Sequence, residues 1–308
     1  MLLPTLRQLQ YLKLLAEHGS FSRAAEAAHV TQPTLSAGVA ELEKVLGAPV
    51  VDRNRAGVNL TAVGEEAVAR AGEILALSED LVQAARSAGQ PLTGRFRLGV
   101  IPTIAPFLLP RALPILRRTY PNLRLFLRED LTAKLIASLK AGAIDAALIA
   151  LPYDLQGLDH IDVFEDPFFA VAPANHAMAA ERTVDPKALE GADLILLEDG
   201  HCLRDHALSA CSMTTARGGP EGAFAATSLH TLIQMVGSGL GVTLLPKIAV
   251  ESGLADQAPV VVRPLNAGAP CREVVVAWRS GSSRGRDAKL LARTFRTLNS
   301  EASNSHLP

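Results

Sequence analysis

The chain has 308 residues, room for about two or three domains, and 48% of them are hydrophobic, enough for sizeable cores. Its formal net charge of −1 argues against a broad polyanion-binding surface, and three cysteines do not make a disulfide scaffold. The first residues lack the apolar run and cleavage site of an export signal, and no run approaches the ~18 apolar residues of a membrane span, so the expected compartment is the cytoplasm, with no membrane partner.

Leu6, Leu9, Leu12 and Leu15 recur every third residue, which predicts an amphipathic helix. Gly19 and Ser20 punctuate it, with Ser20 as the expected N-cap of a short Ala-rich helix over 21–28. Thr31 caps a longer helix that runs to about Leu46, with Pro33 in its first turn, where a missing N–H costs little. Two apolar pieces, Val50-Val51 and Val58-Asn59-Leu60, flank the polar tip Arg53-Asn54-Arg55-Ala56-Gly57 as a wing-like hairpin. Residues 61–87 read as one long helix, in which Val68, Leu75 and Val82 repeat every seven residues beside Ala67, Ile74 and Leu81. That seam predicts a two-helix dimer contact.

Gln90-Pro91-Leu92-Thr93-Gly94 is a hinge by composition. Beyond it, strand and helix patterns alternate over 96–101, 104–120, 123–128, 131–141 and 144–151, a βαβαβ run that implies a parallel sheet. After Pro167 the alternation resumes with strands at 168–172, 194–197, 241–245 and 273–278 and a helix at 228–237. A last helix over about 287–298 precedes a polar tail expected to be disordered. The fold class is α/β multidomain: an N-terminal winged helix-turn-helix, a long linker helix and a C-terminal α/β domain.

A helix-turn-helix needs small residues where two helices cross and polar residues opening the second helix. Ala24, Ala25, Ala27 and Ala28 supply the first, and Gln32, Thr34 and Ser36 beside Pro33 the second, with Leu35 and Val39 turned inward. Gln reads adenine bidentately, and Ser and Thr contact bases or phosphates. Arg53 and Arg55 on the wing are expected at phosphates or in the minor groove.

The string Phe21-Ser22-Arg23-Ala24-Ala25, then Val30-Thr31-Gln32-Pro33-Thr34-Leu35-Ser36 and Leu60-Thr61-Ala62-Val63-Gly64, resembles the DNA-binding module of LysR-type transcription regulators. That resemblance implies double-stranded DNA as partner and a homodimer or homotetramer on repeated half-sites. It also implies a periplasmic-binding-protein-like effector domain in which small metabolites bind between two lobes. The expected domains are 1–60 for DNA binding, 61–90 for linker helix and hinge, 91–166 with 268–308 for the first lobe, and 167–267 for the second.

A signalling thiol must be partly ionised at neutral pH, which nearby cations and helix N-terminal amides favour. In Gly200-His201-Cys202-Leu203-Arg204-Asp205, His201 and Arg204 are candidate neighbours of Cys202, and Cys211 follows as a candidate resolving thiol. Were 202–211 helical, nine steps of 1.5 Å would hold the two Cα atoms roughly 13 Å apart, beyond the ~7 Å a disulfide allows. Bond formation would then unwind the segment. Two small core cysteines remain the bland alternative.

This motif, the Cys211 spacing, Gly99-Val100-Ile101-Pro102-Thr103-Ile104-Ala105-Pro106 and Ala226-Thr227-Ser228-Leu229 look like the peroxide-sensing OxyR branch of the LysR family. The likeness implies Cys202 as peroxidatic thiol, Cys211 as its resolving partner, and Thr103 and Thr132 as holders of peroxide or water, with Arg279 adding positive charge. It implies hydrogen peroxide as the signal, a thiol reductant such as glutaredoxin or thioredoxin, and RNA polymerase as a further partner. No cofactor or metal is implied, since Cys202 and Cys211 lack zinc spacing. His206 and His230 depart from the Gln and Glu common in that branch; His206 reads as a solvated surface residue, and Cys271 as a small buried one. The competing readings are a metabolite-responsive LysR-type regulator, a thiol peroxidase and a solute-binding protein. The last two leave the DNA module unexplained.

Overall fold

The computed structural model of the chain describes residues 2–52, 58–87, 90–189, 192–210, 225–266 and 271–305. Its contacts form two compact units, Met1–Gly89 with Ser138–Ala143, and Gln90–Ala137 with Ile144–Pro308.

In the first unit α1 (Leu6–His18) opens on a capping box: Thr5 Oγ1 accepts from the Gln8 N–H, and the Gln8 side chain accepts from the Thr5 N–H at 2.8 Å. It closes at Gly19, whose φ of 59° is the left-handed conformation glycine adopts without penalty. Helix α2 (Phe21–Ala27) begins after Ser20, but the Ser20 hydroxyl makes no capping bond; its extended backbone alone marks the boundary. Thr31 does cap α3 (Gln32–Leu46), accepting from the Thr34 N–H. Leu9, Leu12 and Leu15 bury against Leu35, Val39 and Leu42, and the buried alanines Ala24 and Ala25 let α2 approach closely. Each buried leucine contributes about 1.5–3 kcal/mol.

Strands β1 (Val51–Asp52) and β2 (Asn59–Leu60) pair antiparallel as the base of the hairpin. The long helix α4 (Ala62–Ser87) then starts under the Thr61 hydroxyl, which accepts from the Gly64 N–H at 3.0 Å. The expected heptad seam is divided. Val68 and Leu75 pack on this unit's own core, whereas Ile74, Leu77 and Leu81 stand exposed one helical turn apart. At Gly64 an added Cβ would meet the Val50 carbonyl oxygen at 2.0 Å, and backbone cannot yield as a side chain can. Gly64→Ala is therefore expected to destabilise the unit by about 1–3 kcal/mol, read as a lower urea midpoint of the helical circular-dichroism transition.

In the second unit β3 (Gly94–Val100) pairs parallel with β4 (Leu123–Glu129) on one side and β5 (Ala146–Leu151) on the other. Helices α5 (Ala105–Thr119) and α6 (Thr132–Lys140) make the crossovers. Because the chain leaves β3 for β4 and returns past it to β5, the carboxyl end of β3 is a switch point, where such sheets open a crevice. Strand β11 (Cys271–Arg279) lies antiparallel to β5, and β6 (Leu158–Pro173) antiparallel to β11. The first part of β6 pairs with β11 and the last with β10 (Val260–Pro264) and β9 (Thr243–Pro246), so one strand joins both halves of the sheet.

The sequence alone predicts a strand only over 168–172. Positions 158–167 carry Asp159, His160, Asp162, Glu165 and Asp166, and no apolar run marks them.

Short β7 (Leu196–Leu197) pairs parallel with β8 (Ala225–Ala226). Helices α7 (Cys202–Ala210), α8 (Leu229–Gly237) and α9 (Lys247–Glu251) surround this half. The last helix, α10 (Gly285–Ser305), runs through most of the expected tail, its apolar face held by Leu291, Phe295 and Leu298. Among the described residues no helix is long and apolar enough to cross a membrane.

Candidate functional site

The switch-point crevice holds a buried ionic network. Arg272, on β11, is the cross-strand neighbour of Asp166 on β6, and their side chains are 0% and 1% exposed. Arg272 Nε and Nη2 donate to Asp166 Oδ2 at 3.0 and 2.8 Å. Its Nη1 donates to Thr103 Oγ1 at 2.8 Å and its Nη2 to the Thr103 carbonyl at 3.1 Å. Asp166 Oδ1 accepts from the Ile248 N–H at the start of α9. A buried charge survives only when its donors and acceptors are answered in this way.

Cys202 opens α7 and is buried beside this network. Gly200, at φ 93°, makes the turn that brings it there. Thr103, Thr132, His201 and Cys202 line one small recess with Ile101 and Leu131. Burial pushes the Cys202 thiol above its ordinary value; the Arg272 charge and the Thr132 hydroxyl pull it back. The Thr132 hydroxyl is buried and makes no hydrogen bond of normal geometry. It lies close enough to the thiol and to the Tyr153 phenol to favour the charged form of each.

Four of the expected site residues thus meet in the recess. Two others are directed elsewhere. Arg204 pairs with Asp199 at 2.9 Å and donates to the Leu197 carbonyl, because at this position α7 faces the loop before it. Arg279 is buried at the opposite end of β11 and donates to the Ile144 carbonyl. Nor is His201 a cation: burial lowers its pKa, with Glu198 opposing. The positive charge beside the thiol is Arg272. A signal for it exists in the sequence, since Arg272 is in phase with the inward-facing Val274, Val276 and Trp278 of its strand. An inward arginine demands an acidic partner. Cys211, the expected resolving thiol, lies outside the described residues.

Two further expectations change, those for His206 and Cys271. His206 is buried, because positions 202, 203, 206 and 207 form the inward face of α7. His230 stacks on Phe107 with ring centroids 5.8 Å apart. Cys271 is exposed, because alternation turns it away from the face that buries Arg272. Next to the recess, a cavity of about 400 Å³ is lined by Phe107, Glu129, Glu198, His201, Ser228 and His230 among others. Among the described residues no group of three His, Cys, Asp or Glu is placed to hold a metal.

In the first unit Gln32, Pro33 and Thr34 are exposed at the start of α3, with Ser36 half-buried one turn on. Gln32 Oε1 accepts from the Ser22 hydroxyl at 2.9 Å, which steadies its amide on the surface. The Thr34 hydroxyl pairs with that of Thr31 at 2.8 Å, so part of its bonding capacity serves the cap. Leu35 and Val39 are fully buried on the opposite face. Arg53 and Arg55 lie outside the described residues.

Residues 6–65 match the bacterial regulatory helix-turn-helix model of the lysR family, and residues 89–299 match the LysR substrate binding domain. The chain belongs to the LysR family of transcription regulators. Among relatives of this LysR-type chain, the HTH-type transcriptional regulator EstR of Acinetobacter baylyi is 43% identical over 252 residues, 81% of this chain and 82% of that one. A probable hydrogen peroxide-inducible genes activator of Streptomyces viridosporus is 38% identical, covering 95% and 94%. A full-length OxyR from Pseudomonas aeruginosa, solved with one cysteine replaced by aspartate, superposes with a TM-score of 0.78 at 38% identity, over 96% of this chain and 98% of that one. A hydrogen peroxide-bound cysteine-to-serine mutant of Corynebacterium glutamicum OxyR does so at 0.64 and 33%, over 99% and 97%. As a LysR-type regulator, the chain binds DNA through its helix-turn-helix and controls transcription.

Proposed function

We propose that this regulator senses hydrogen peroxide through Cys202. The observation that carries the reading is the buried Thr132 hydroxyl, close enough to the thiol to favour its charged form, in a recess that Thr103 and His201 also line. The threonine hydroxyls both donate and accept, and peroxide offers donors and acceptors to match them. Arg272 stabilises the thiolate that attacks one peroxide oxygen. The S–O bond forms as the O–O bond breaks, and the thiol proton ends on the departing hydroxide as water. Cys211 then attacks the sulfenic sulfur, releasing a second water and leaving a Cys202–Cys211 disulfide. Because Cys202 is the first residue of a helix, that bond requires α7 to unwind. The peroxide-related names among its relatives support the same reading.

On this reading the regulator works in the cytoplasm as a homodimer or homotetramer on double-stranded promoter DNA. The exposed Ile74, Leu77 and Leu81 stripe of α4 supports pairing with a second copy. A thiol reductant of the thioredoxin or glutaredoxin class resets the switch, and RNA polymerase reads its state. The test is footprinting of promoter DNA by the full chain before and after peroxide. A changed footprint that Cys202→Ser abolishes supports the proposal. The neighbouring cavity of about 400 Å³ favours the second reading, a small metabolite as effector. An identical footprint with and without peroxide would establish that reading in its place.

A further inference from the structure

The peroxide reading leaves His206 unused. It sits one turn after Cys202 on the inward face of α7, 9% exposed, and its Nδ1 is buried without a hydrogen-bond partner. Helix α7 packs on β7 and β11. Leu196 and Leu197 of β7 bring no charge. From β11 comes Arg272, paired with Asp166 of β6. On α7 itself are Cys202, the exposed Asp205, and Arg204, which pairs with Asp199; Tyr153, just after β5, lies near Cys202 and Asp205.

A neutral imidazole tolerates this position. An imidazolium would lose its hydration and meet the Arg272 guanidinium. We infer that α7 stays docked only while His206 is neutral, so that the opening of α7 on disulfide formation takes up one proton at this residue. Burial first, and the Arg272 charge second, hold its docked pKa down to about 4 from an ordinary 6.5. Released into solvent the ring regains the ordinary value. Between those two values the opened, oxidised form binds a proton that the docked, reduced form does not. Mild acidity therefore favours the oxidised form, and the chain reads pH together with peroxide.

The inference rests on the proposed Cys202–Cys211 switch, and glutathione redox equilibria of the full-length protein test it. Exchange of the protein dithiol with glutathione disulfide yields the protein disulfide and two glutathione thiols, with no net proton from the thiols. Any pH dependence therefore comes from other groups. For wild type, the oxidation equilibrium constant is expected to rise up to tenfold per pH unit as pH falls from 6.5 towards about 4. For His206→Gln, an amide of similar shape that does not titrate, the constant stays flat. Equal slopes for the two proteins would overturn the inference while leaving the disulfide switch standing. Absence of a Cys202–Cys211 disulfide from both would overturn the switch, and this inference with it. Wild type alone gives a second measurement, independent of how the variant folds. Oxidation in weak buffer should take up close to one proton per disulfide at about pH 5.5 and none at about pH 8. No uptake at the lower pH overturns the inference.

Discussion

Arg272→Met is expected to lower the stability of the effector unit by about 3–5 kcal/mol and to slow the reaction of Cys202 with peroxide. The first effect follows from what is left behind. Asp166 is 1% exposed and would lose its cation, with the Ile248 N–H still donating to it; Thr103 Oγ1 would lose the Arg272 Nη1 bond. Removing one member of a buried ion pair costs more than the pair contributes, because the survivor stays desolvated. The second effect is electrostatic. Burial already raises the thiol pKa, and Arg272 is the largest influence opposing it. Without the guanidinium the thiolate becomes rarer and the attack slower. Urea unfolding followed by the single tryptophan, Trp278, reads the stability, and stopped-flow oxidation reads the rate. Adding Asp166→Asn to Arg272→Met removes the orphaned charge. The double variant should regain part of the stability and none of the reactivity.

Thr132→Val separates the two properties in the opposite direction. The side chains are nearly isosteric, and the hydroxyl it removes makes no hydrogen bond of normal geometry. Loss of such a buried hydroxyl is expected to leave stability unchanged or raise it by about 1 kcal/mol. If that hydroxyl holds peroxide in the attack geometry, the oxidation rate falls by about tenfold, the equivalent of one hydrogen bond of about 1.4 kcal/mol. A purely structural role for Thr132 predicts the reverse, a less stable protein with an unaltered rate. The same stopped-flow and urea measurements distinguish them.

These residues show how far the sequence alone can be read. Local signals carry well: Thr31 before a periodic run with Pro33 in its first turn locates α3, and β3, α5, β4, α6 and β5 follow from alternating periods. Signals that depend on a distant strand do not. The first half of β6 carries charged side chains in a strand because β11 pairs with it, and nothing within 158–167 announces that partner. Arg272 and Asp166 are far apart in the chain and meet only across that ladder, so the chain neighbours of Cys202 do not reveal the cation beside it. His201 and Arg204 are near in sequence, but one is neutral and the other faces Asp199. The α4 seam is legible as apolar, yet which stripe the unit's own core consumes depends on where α1 lies against it. His206 reads as a surface residue because it is polar; the inward face of α7 nonetheless includes it.

The proposed reaction of Cys202 with peroxide, and its proposed resolution by Cys211, can be tested without any DNA. Reduced full-length protein is titrated with one equivalent of hydrogen peroxide, and its disulfides are mapped by peptide mass spectrometry. A peroxide sensor of this design forms a Cys202–Cys211 bond rapidly in wild type, with Cys271 still reduced, and no such bond in Cys202→Ser or Cys211→Ser. Thiols that stay reduced at modest peroxide excess would contradict it and would leave a LysR-type regulator whose effector is a small metabolite.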